Sequence, residues 1–134
     1  EDCLPYLDIA MTSLEEAIFY TGQPDAPSIA AYFIEHGASR VLVKLGEKGL
    51  LVREGDTTLQ LDAHNVAVVD TTGAGDAACA GFLYGCIHGW DLEQSGRMAN
   101  AIGALTVTQM GGSEAIENFE AAQNFMETQA CQIQ

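Results

Sequence analysis

Apolar and polar positions along the chain switch between two periods, and the switches mark its elements. Residues 4–10 mix apolar side chains with Asp8 and predict a short strand. Ser13-Leu14-Glu15-Glu16 opens a helix to about Tyr20, with Thr21-Gly22 as its stop. Asp25-Ala26-Pro27 starts a second helix, with Asp as cap and Pro in the first turn. Its apolar stripe is Ile29, Tyr32 and Phe33, and Gly37 ends it. Val41-Leu42-Val43 is an unbroken apolar run, the pattern of a strand buried on both faces as in a parallel sheet. Turns at residues 44–49 and at Glu54-Gly55-Asp56 separate it from Leu50-Leu51-Val52 and from residues 57–61, which predicts antiparallel hairpins. Ala67-Val68-Val69 predicts one more strand. A helix from Asp76 to about His88 follows, with Ala77, Ala78, Ala80 and Gly81 small enough for close packing on the sheet. Asp91 caps the next helix, from Leu92 to roughly Val107, and a last helix over residues 116–128 carries Phe119, Ala122, Phe125 and Met126 on one stripe. Strands and helices in this alternation give a doubly wound α/β layer with an antiparallel hairpin region.

The chemistry concentrates in Asp70-Thr71-Thr72-Gly73-Ala74-Gly75-Asp76. A strand, a tight glycine turn and a helix N-terminus are expected there. Gly73 and Gly75 permit positive φ and close approach of a ligand to bare backbone. The first N–H groups of the helix lack intrahelical partners and attract negative charge. Together these features make an anion cradle. Asp76 stands where the anion would sit; a carboxylate there repels phosphate, and proton abstraction is the chemistry that needs it. The plainer alternative is an N-capping Asp after a glycine turn.

Those seven contiguous residues resemble the C-terminal signature of PfkB-type carbohydrate kinases, the ribokinase-like family. The resemblance covers roughly residues 4–127 and implies the C-terminal portion of a ribokinase-like α/β/α fold. It further implies transfer of the ATP γ-phosphoryl group to a sugar hydroxyl, with Gly73, Ala74 and Gly75 as anion hole and Asp76 as base. Family members carry Asn-x-x-Glu, whose Glu organises a Mg²⁺–phosphate water network, where this chain has Ser13 and Glu16. The same two residues also form a capping box, S-x-x-E, which explains them structurally. Leu45-Gly46-Glu47-Lys48-Gly49 resembles the strand and turn beside the nucleotide. Gly46 and Gly49 would let adenosine lie close to the backbone, and Lys44, where many members have Thr, would alter contacts to the nucleotide phosphates. Lys48 fits an ordinary solvated hairpin position. Asn100 is either a nucleotide contact or a surface amide. Many members bind K⁺ at the position of residues 106–113; carried over, this implicates Asp70, Thr72, Thr106, Gln109 and Gly111, against the alternative of a glycine-capped helix end.

Composition narrows the partners. Five Lys+Arg against nineteen Asp+Glu give a net charge of −14, which repels nucleic acid and anionic membranes. The same field opposes ATP, so Mg²⁺ and local N–H donors must outweigh it. No apolar run approaches the roughly 20 residues of a membrane span. Cys3, Cys79, Cys86 and Cys131 show no CxxC pairing and no His at zinc spacing, which fits a reducing cytoplasm, with Cys79 and Cys86 as buried small hydrophobes. His64 is expected to be a loop residue, and His36 and His88 helix C-terminal residues. The chain opens Glu1-Asp2-Cys3 without Met or a basic leader, which suggests a fragment or a processed piece. The resemblance agrees: relatives are about twice as long, and their N-terminal half brings most sugar contacts, the lid and the strands of a homodimer. Residues 1–134 are then the nucleotide-binding and catalytic part of one domain. Two rival readings stand beside kinase activity, a nucleotide-binding fragment without catalysis and a piece that folds only with its missing half or a partner.

Overall fold

A computed structural model describes residues 3–112 and 114–128; Ser113 of the glycine loop and Cys131 lie outside the described residues. The elements follow in the order β1 (Ile9–Ser13), α1 (Leu14–Thr21), α2 (Ala26–Glu35), β2 (Arg40–Lys44), β3 (Leu50–Glu54), β4 (Thr57–Leu61), α3 (Ala74–Ile87), α4 (Leu92–Thr106) and α5 (Phe119–Thr128). The four strands form one sheet in the order β1-β2-β3-β4. β1 runs parallel to β2, with Ile9 opposite Arg40, while β2–β3 and β3–β4 are antiparallel, with Lys44 opposite Leu50 and Leu50 opposite Leu61. The sheet is therefore mixed, and the expected hairpins are its antiparallel half.

Alternation along the strands builds two cores, one on each face. Val41, Val43 and Leu51 pack with Ile29, Ala30 and Phe33 under α1 and α2. Leu42, Leu50, Val52 and Leu61 pack with Ala78, Phe82, Leu92 and Ala99 under α3 and α4. Val41, Leu42 and Val43 are all fully buried, as a both-faces-covered strand requires. Each large side chain buried in this way contributes about 1.5–3 kcal/mol of apolar transfer.

Local chemistry sets the element ends. Asp25 caps α2 by accepting from the Ser28 N–H at 2.9 Å, and Asp91 caps α4 by accepting from Gln94 at 2.7 Å. His36 and His88 end α2 and α3 as expected, each ring placing Nδ1 at hydrogen-bond distance from a carbonyl, of Tyr32 at 2.7 Å and of Tyr84 at 2.8 Å. Each ring also stacks on that tyrosine.

Several expectations need correction. The first strand is β1 over Ile9–Ser13, preceded by a 3₁₀ turn at Leu4–Tyr6, because Pro5 offers no N–H to a ladder and suits a helical first turn. Residues 67–69 form no strand. No described strand lies beside them; the Val69 N–H donates instead to the Val107 carbonyl at 2.7 Å, leaving Val68 and Val69 exposed. α3 begins at Ala74, two residues earlier than Asp76. α5 begins at Phe119 rather than Ile116, because the Asn118 side chain caps it through the Ala121 N–H at 2.8 Å. The small residues of α3 also divide between two surfaces. Ala78 and Phe82 face the sheet, but Gly81 faces α4, where a Cβ would lie 3.0 Å from the Ala99 Cα. Cys79 and Cys86 are half-buried against the second core, and Cys86 Sγ accepts from the Arg40 guanidinium at 3.6 Å.

Candidate active site

The N-terminus of α3 is built differently from those of α1, α2 and α4. Its N-cap is Gly73, at φ 75°, with no side-chain cap. That left-handed conformation costs an ordinary residue roughly 1–2 kcal/mol, so glycine belongs there. Ala74 N–H reaches the Thr71 carbonyl at 3.3 Å and Ala77 N–H the Gly73 carbonyl at 2.9 Å. The N–H groups of Gly75 and Asp76, between them, find no acceptor among the described residues. These are the open donors an anion cradle needs. Asp76 is exposed on this first turn, three residues after the cap, and its carboxylate has no described partner.

Beside the cradle opens a cavity of about 650 Å³, large enough for a nucleotide. One wall is the turn after β2, with Lys44, Gly46, Glu47 and Gly49. A second is the strand exit at Ala63, His64, Asn65 and Val66. The floor comes from Ala74, Gly75 and Ala78 of α3 and from Ala99, Asn100, Gly103 and Ala104 of α4. Six residues expected at the site, Lys44, Gly46, Gly49, Ala74, Gly75 and Asn100, thus line one space. Asp76 lies outside that lining, on the same helical turn.

Individual roles sharpen in three dimensions. Gly49, at φ 90°, presses its backbone against the exit from β4, and an added Cβ would overlap the Leu61 carbonyl oxygen. Gly46, at φ 62°, faces open space. Lys48 is exposed, as expected of a hairpin position. Asn100 is no surface amide: it is 7% exposed, and its Nδ2 donates to the Asp62 carbonyl at 2.7 Å, fixing the cavity wall. Lys44 ends β2 and reaches α3, where a Cβ on Gly75 would sit 3.1 Å from its Nζ.

Glu16 closes the expected capping box on Ser13. Its carboxylate accepts from the Ser13 hydroxyl at 2.7 Å and from the Ser13 N–H at 3.3 Å. Those hydrogen bonds hold the Glu16 carboxyl below its usual range, with a smaller contribution from the Lys44 charge. Asp70 accepts from the Thr72 N–H at 2.9 Å through one oxygen and from the Gly111 N–H at 3.3 Å through the other. Its carboxyl is lowered in turn, by Thr72 first and by Gly111 second. The structure therefore brings Asp70, Thr72 and Gly111 together. Of the other two residues of that group, Thr106 donates its hydroxyl to the Ile102 carbonyl inside α4, and Gln109 is exposed. Among the described residues no cluster of three or more His, Cys, Asp or Glu is arranged to hold a metal ion.

His64 was underrated by the sequence. It lines the cavity, and its ring meets Phe125 of α5 edge-on at 5.1 Å. Its buried Nε2 has no hydrogen-bond partner among the described residues, and burial, then the Arg97 charge, push the imidazole below its usual range. The partner is far along the chain, so no local signal announced it. Val107 was likewise unexpected; it lines the cavity and anchors the signature loop through its carbonyl.

Comparison with known proteins places this geometry. Residues 1–118 match the pfkB family of carbohydrate kinases. An uncharacterized sugar kinase of Archaeoglobus fulgidus is 41% identical over 92 residues, which are 69% of this chain and 37% of that protein. The 2-dehydro-3-deoxygluconokinase of Bacillus subtilis is 33% identical over 117 residues, 87% of this chain and 36% of that protein. A ribokinase II candidate from E. coli, solved in complex with ATP and Mg²⁺, superposes with a TM-score of 0.85 at 28% identity, over 95% of this chain and 41% of that one. The fold is ribokinase-like, and the chain spans well under half the length of these relatives. Among the described residues no helix is long and apolar enough to cross a membrane. From the signature loop to the sheet order, sequence and structure agree that the chain belongs to the pfkB family of carbohydrate kinases.

Proposed function

We propose that this chain supplies the nucleotide-binding and catalytic part of an ATP-dependent kinase that phosphorylates a hydroxyl of a sugar or sugar-like molecule. The observation that supports this most is the uncapped α3 N-terminus beside a nucleotide-sized cavity, where the Gly75 and Asp76 N–H groups and the Asp76 carboxylate have no partner among the described residues. ATP would place adenosine against Gly46, Gly49 and Asn100 and its γ-phosphate over residues 73–76. The acceptor hydroxyl oxygen attacks the γ-phosphorus, the β–γ bridging bond breaks, and its electron pair leaves with ADP. Asp76 takes the hydroxyl proton as the new bond forms. The Gly75 and Asp76 N–H groups hold charge on the moving phosphoryl oxygens. Glu16 would organise, through water, a Mg²⁺ ion bound with the nucleotide, and that ion would neutralise part of the phosphate charge. A K⁺ ion would be held where Asp70 and Thr72 meet Gly111, mainly by backbone carbonyls. Selectivity for one sugar belongs to residues outside this chain. In the same proposal the bare edge of β1 and the exposed Tyr6 and Phe19 are where the remainder of the fold packs.

The decisive experiment is Asp76→Asn in the complete kinase. Removing a general base should lower kcat by about 10²–10⁴-fold, while the Kd for Mg-ADP stays near wild type. Turnover close to wild type would overturn the assignment of base. For the chain alone, a saturable rise of the thermal midpoint with Mg-ADP supports a formed nucleotide site, and a larger rise in K⁺ than in Na⁺ supports the cation loop.

A further inference from the structure

The geometry points to Lys44 as a further catalytic residue, one whose ammonium contacts the transferring phosphoryl group and not only the nucleotide. This inference rests on the phosphoryl-transfer reading above. Three observations carry it. First, placement: Lys44 is the last residue of β2, and its side chain crosses to the first turn of α3, with Nζ 3.1 Å from where a Gly75 Cβ would be. The ammonium therefore lies beside Gly75, whose N–H finds no acceptor among the described residues, and Lys44 and Gly75 line the same cavity. A Cβ at Gly75 would crowd the ammonium and make it shift by a few tenths of an ångström.

Second, availability. Three of the five basic residues are engaged elsewhere, and a fourth faces solvent. Arg40 pairs with Glu54 at 2.7 Å, and Arg97 lies 3.6 Å from Glu93. Arg53 donates to the Gly55 carbonyl at 2.9 Å, and Lys48 is exposed on the turn after β2. Lys44 is half-buried and makes no ion pair among the described residues. Glu16 feels its charge, but the Glu16 oxygens are occupied by Ser13. A half-buried, unpaired ammonium in a chain of net charge −14 marks a place built to meet an anion.

Third, need. Phosphate and the Asp76 carboxylate repel each other at close range, and charge on the phosphoryl oxygens must be held as the group moves. An ammonium at Gly75 answers both. Lys44 keeps its proton throughout and donates to a nonbridging oxygen of the moving group; the hydroxyl proton still goes to Asp76 and the bridging electron pair to ADP. A contact of that kind strengthens toward the transition state, so it should act on kcat more than on nucleotide affinity.

The test compares Mg-ADP with Mg-ADP plus aluminium fluoride, a mimic of the transferring group, by titration calorimetry on the complete kinase. Lys44→Gln and Lys44→Met should each weaken the Mg-ADP–fluoroaluminate complex by about 10–10²-fold, of the order seen when one donor to a developing anion is removed. Each should weaken Mg-ADP alone by less than about threefold, and Lys44→Arg should recover much of the loss by restoring the charge. Equal losses for both ligands, or no loss for either, would overturn the catalytic role while leaving the kinase reading intact. If the wild-type protein binds the mimic no more tightly than Mg-ADP, the phosphoryl-transfer reading itself fails.

Discussion

In α1 the side chain three places after the N-cap, Glu16, folds back onto Ser13. In α3 the side chain in the same place, Asp76, stays free. The two helix starts share a register and differ in two details. Ser13 offers a hydroxyl and an extended backbone, whereas Gly73 offers neither a side chain nor an ordinary φ. Aspartate is also one methylene shorter than glutamate, too short to close the same ring comfortably. A closed start spends its donors and its carboxylate on itself; an open start keeps both for a visitor. α2 and α4, capped by Asp25 and Asp91, side with α1. The contrast separates helix termini closed by their own side chains from the one left open beside the cavity.

Closing the open terminus should produce the largest effect. Gly73→Ser forces a side chain into φ 75°, a strain of roughly 1–2 kcal/mol. The nearest atom to the new Cβ is the Gly112 Cα at 3.6 Å, so strain and not collision is the cost. The variant should melt several degrees lower and lose its Mg-ADP stabilisation, both checked by calorimetric melts with and without nucleotide. A variant that melts lower yet keeps the full nucleotide shift would show that the cradle does not depend on this cap.

Opening a closed terminus should do less, and to stability alone. Asp91→Ala removes the acceptor for the Gln94 N–H and should cost about 0.5–2 kcal/mol in urea unfolding, with the Mg-ADP Kd unchanged. A change in nucleotide affinity of the same size would blur the distinction between the two kinds of terminus.

Acid should produce the smallest effect, graded by pH. The Ser28 hydrogen bonds hold the Asp25 carboxyl below its ordinary value of 3.8. Its contribution to stability is therefore complete above the unfolded value and lost as pH falls through the lower folded one. The stability gap between wild type and Asp25→Ala should be constant near neutrality and shrink to nothing in acid, as followed by urea midpoints. A gap that widened in acid would mean the cap acts by something other than its charge.

Much of this was legible in the residues themselves. The Ser13–Glu16 box, the Asp25 and Asp91 caps and the glycine turns act over three or four residues, and each forms where the sequence places it. The signature loop was legible for the same reason. What failed depends on neighbours that local pattern does not contain. Val68 and Val69 have strand-forming side chains, yet no described strand lies beside them to complete a ladder. Asn100 stayed open between a nucleotide contact and a surface amide because its acceptor, the Asp62 carbonyl, lies 38 residues away in sequence. Lys44 could be numbered but not aimed: only the fold shows its ammonium beside Gly75. The backbone carbonyls expected around K⁺ stay illegible from sequence, since composition says nothing of carbonyl direction.

The bond from the Gly111 N–H to Asp70 joins residues 41 apart and lies at the surface. The β2–β3–β4 meander, by contrast, closes over residues 40–61 through short turns. Loop closure over a longer separation costs more entropy and comes later in folding. The meander should therefore assemble early and the seam between the signature loop and the end of α4 late. The order reverses under thermal agitation: the seam parts on its own, many times, for each global unfolding event. Deuterium should enter the Gly111 amide long before that of Leu42, so the signature loop should keep a shorter memory of its shape than the sheet does.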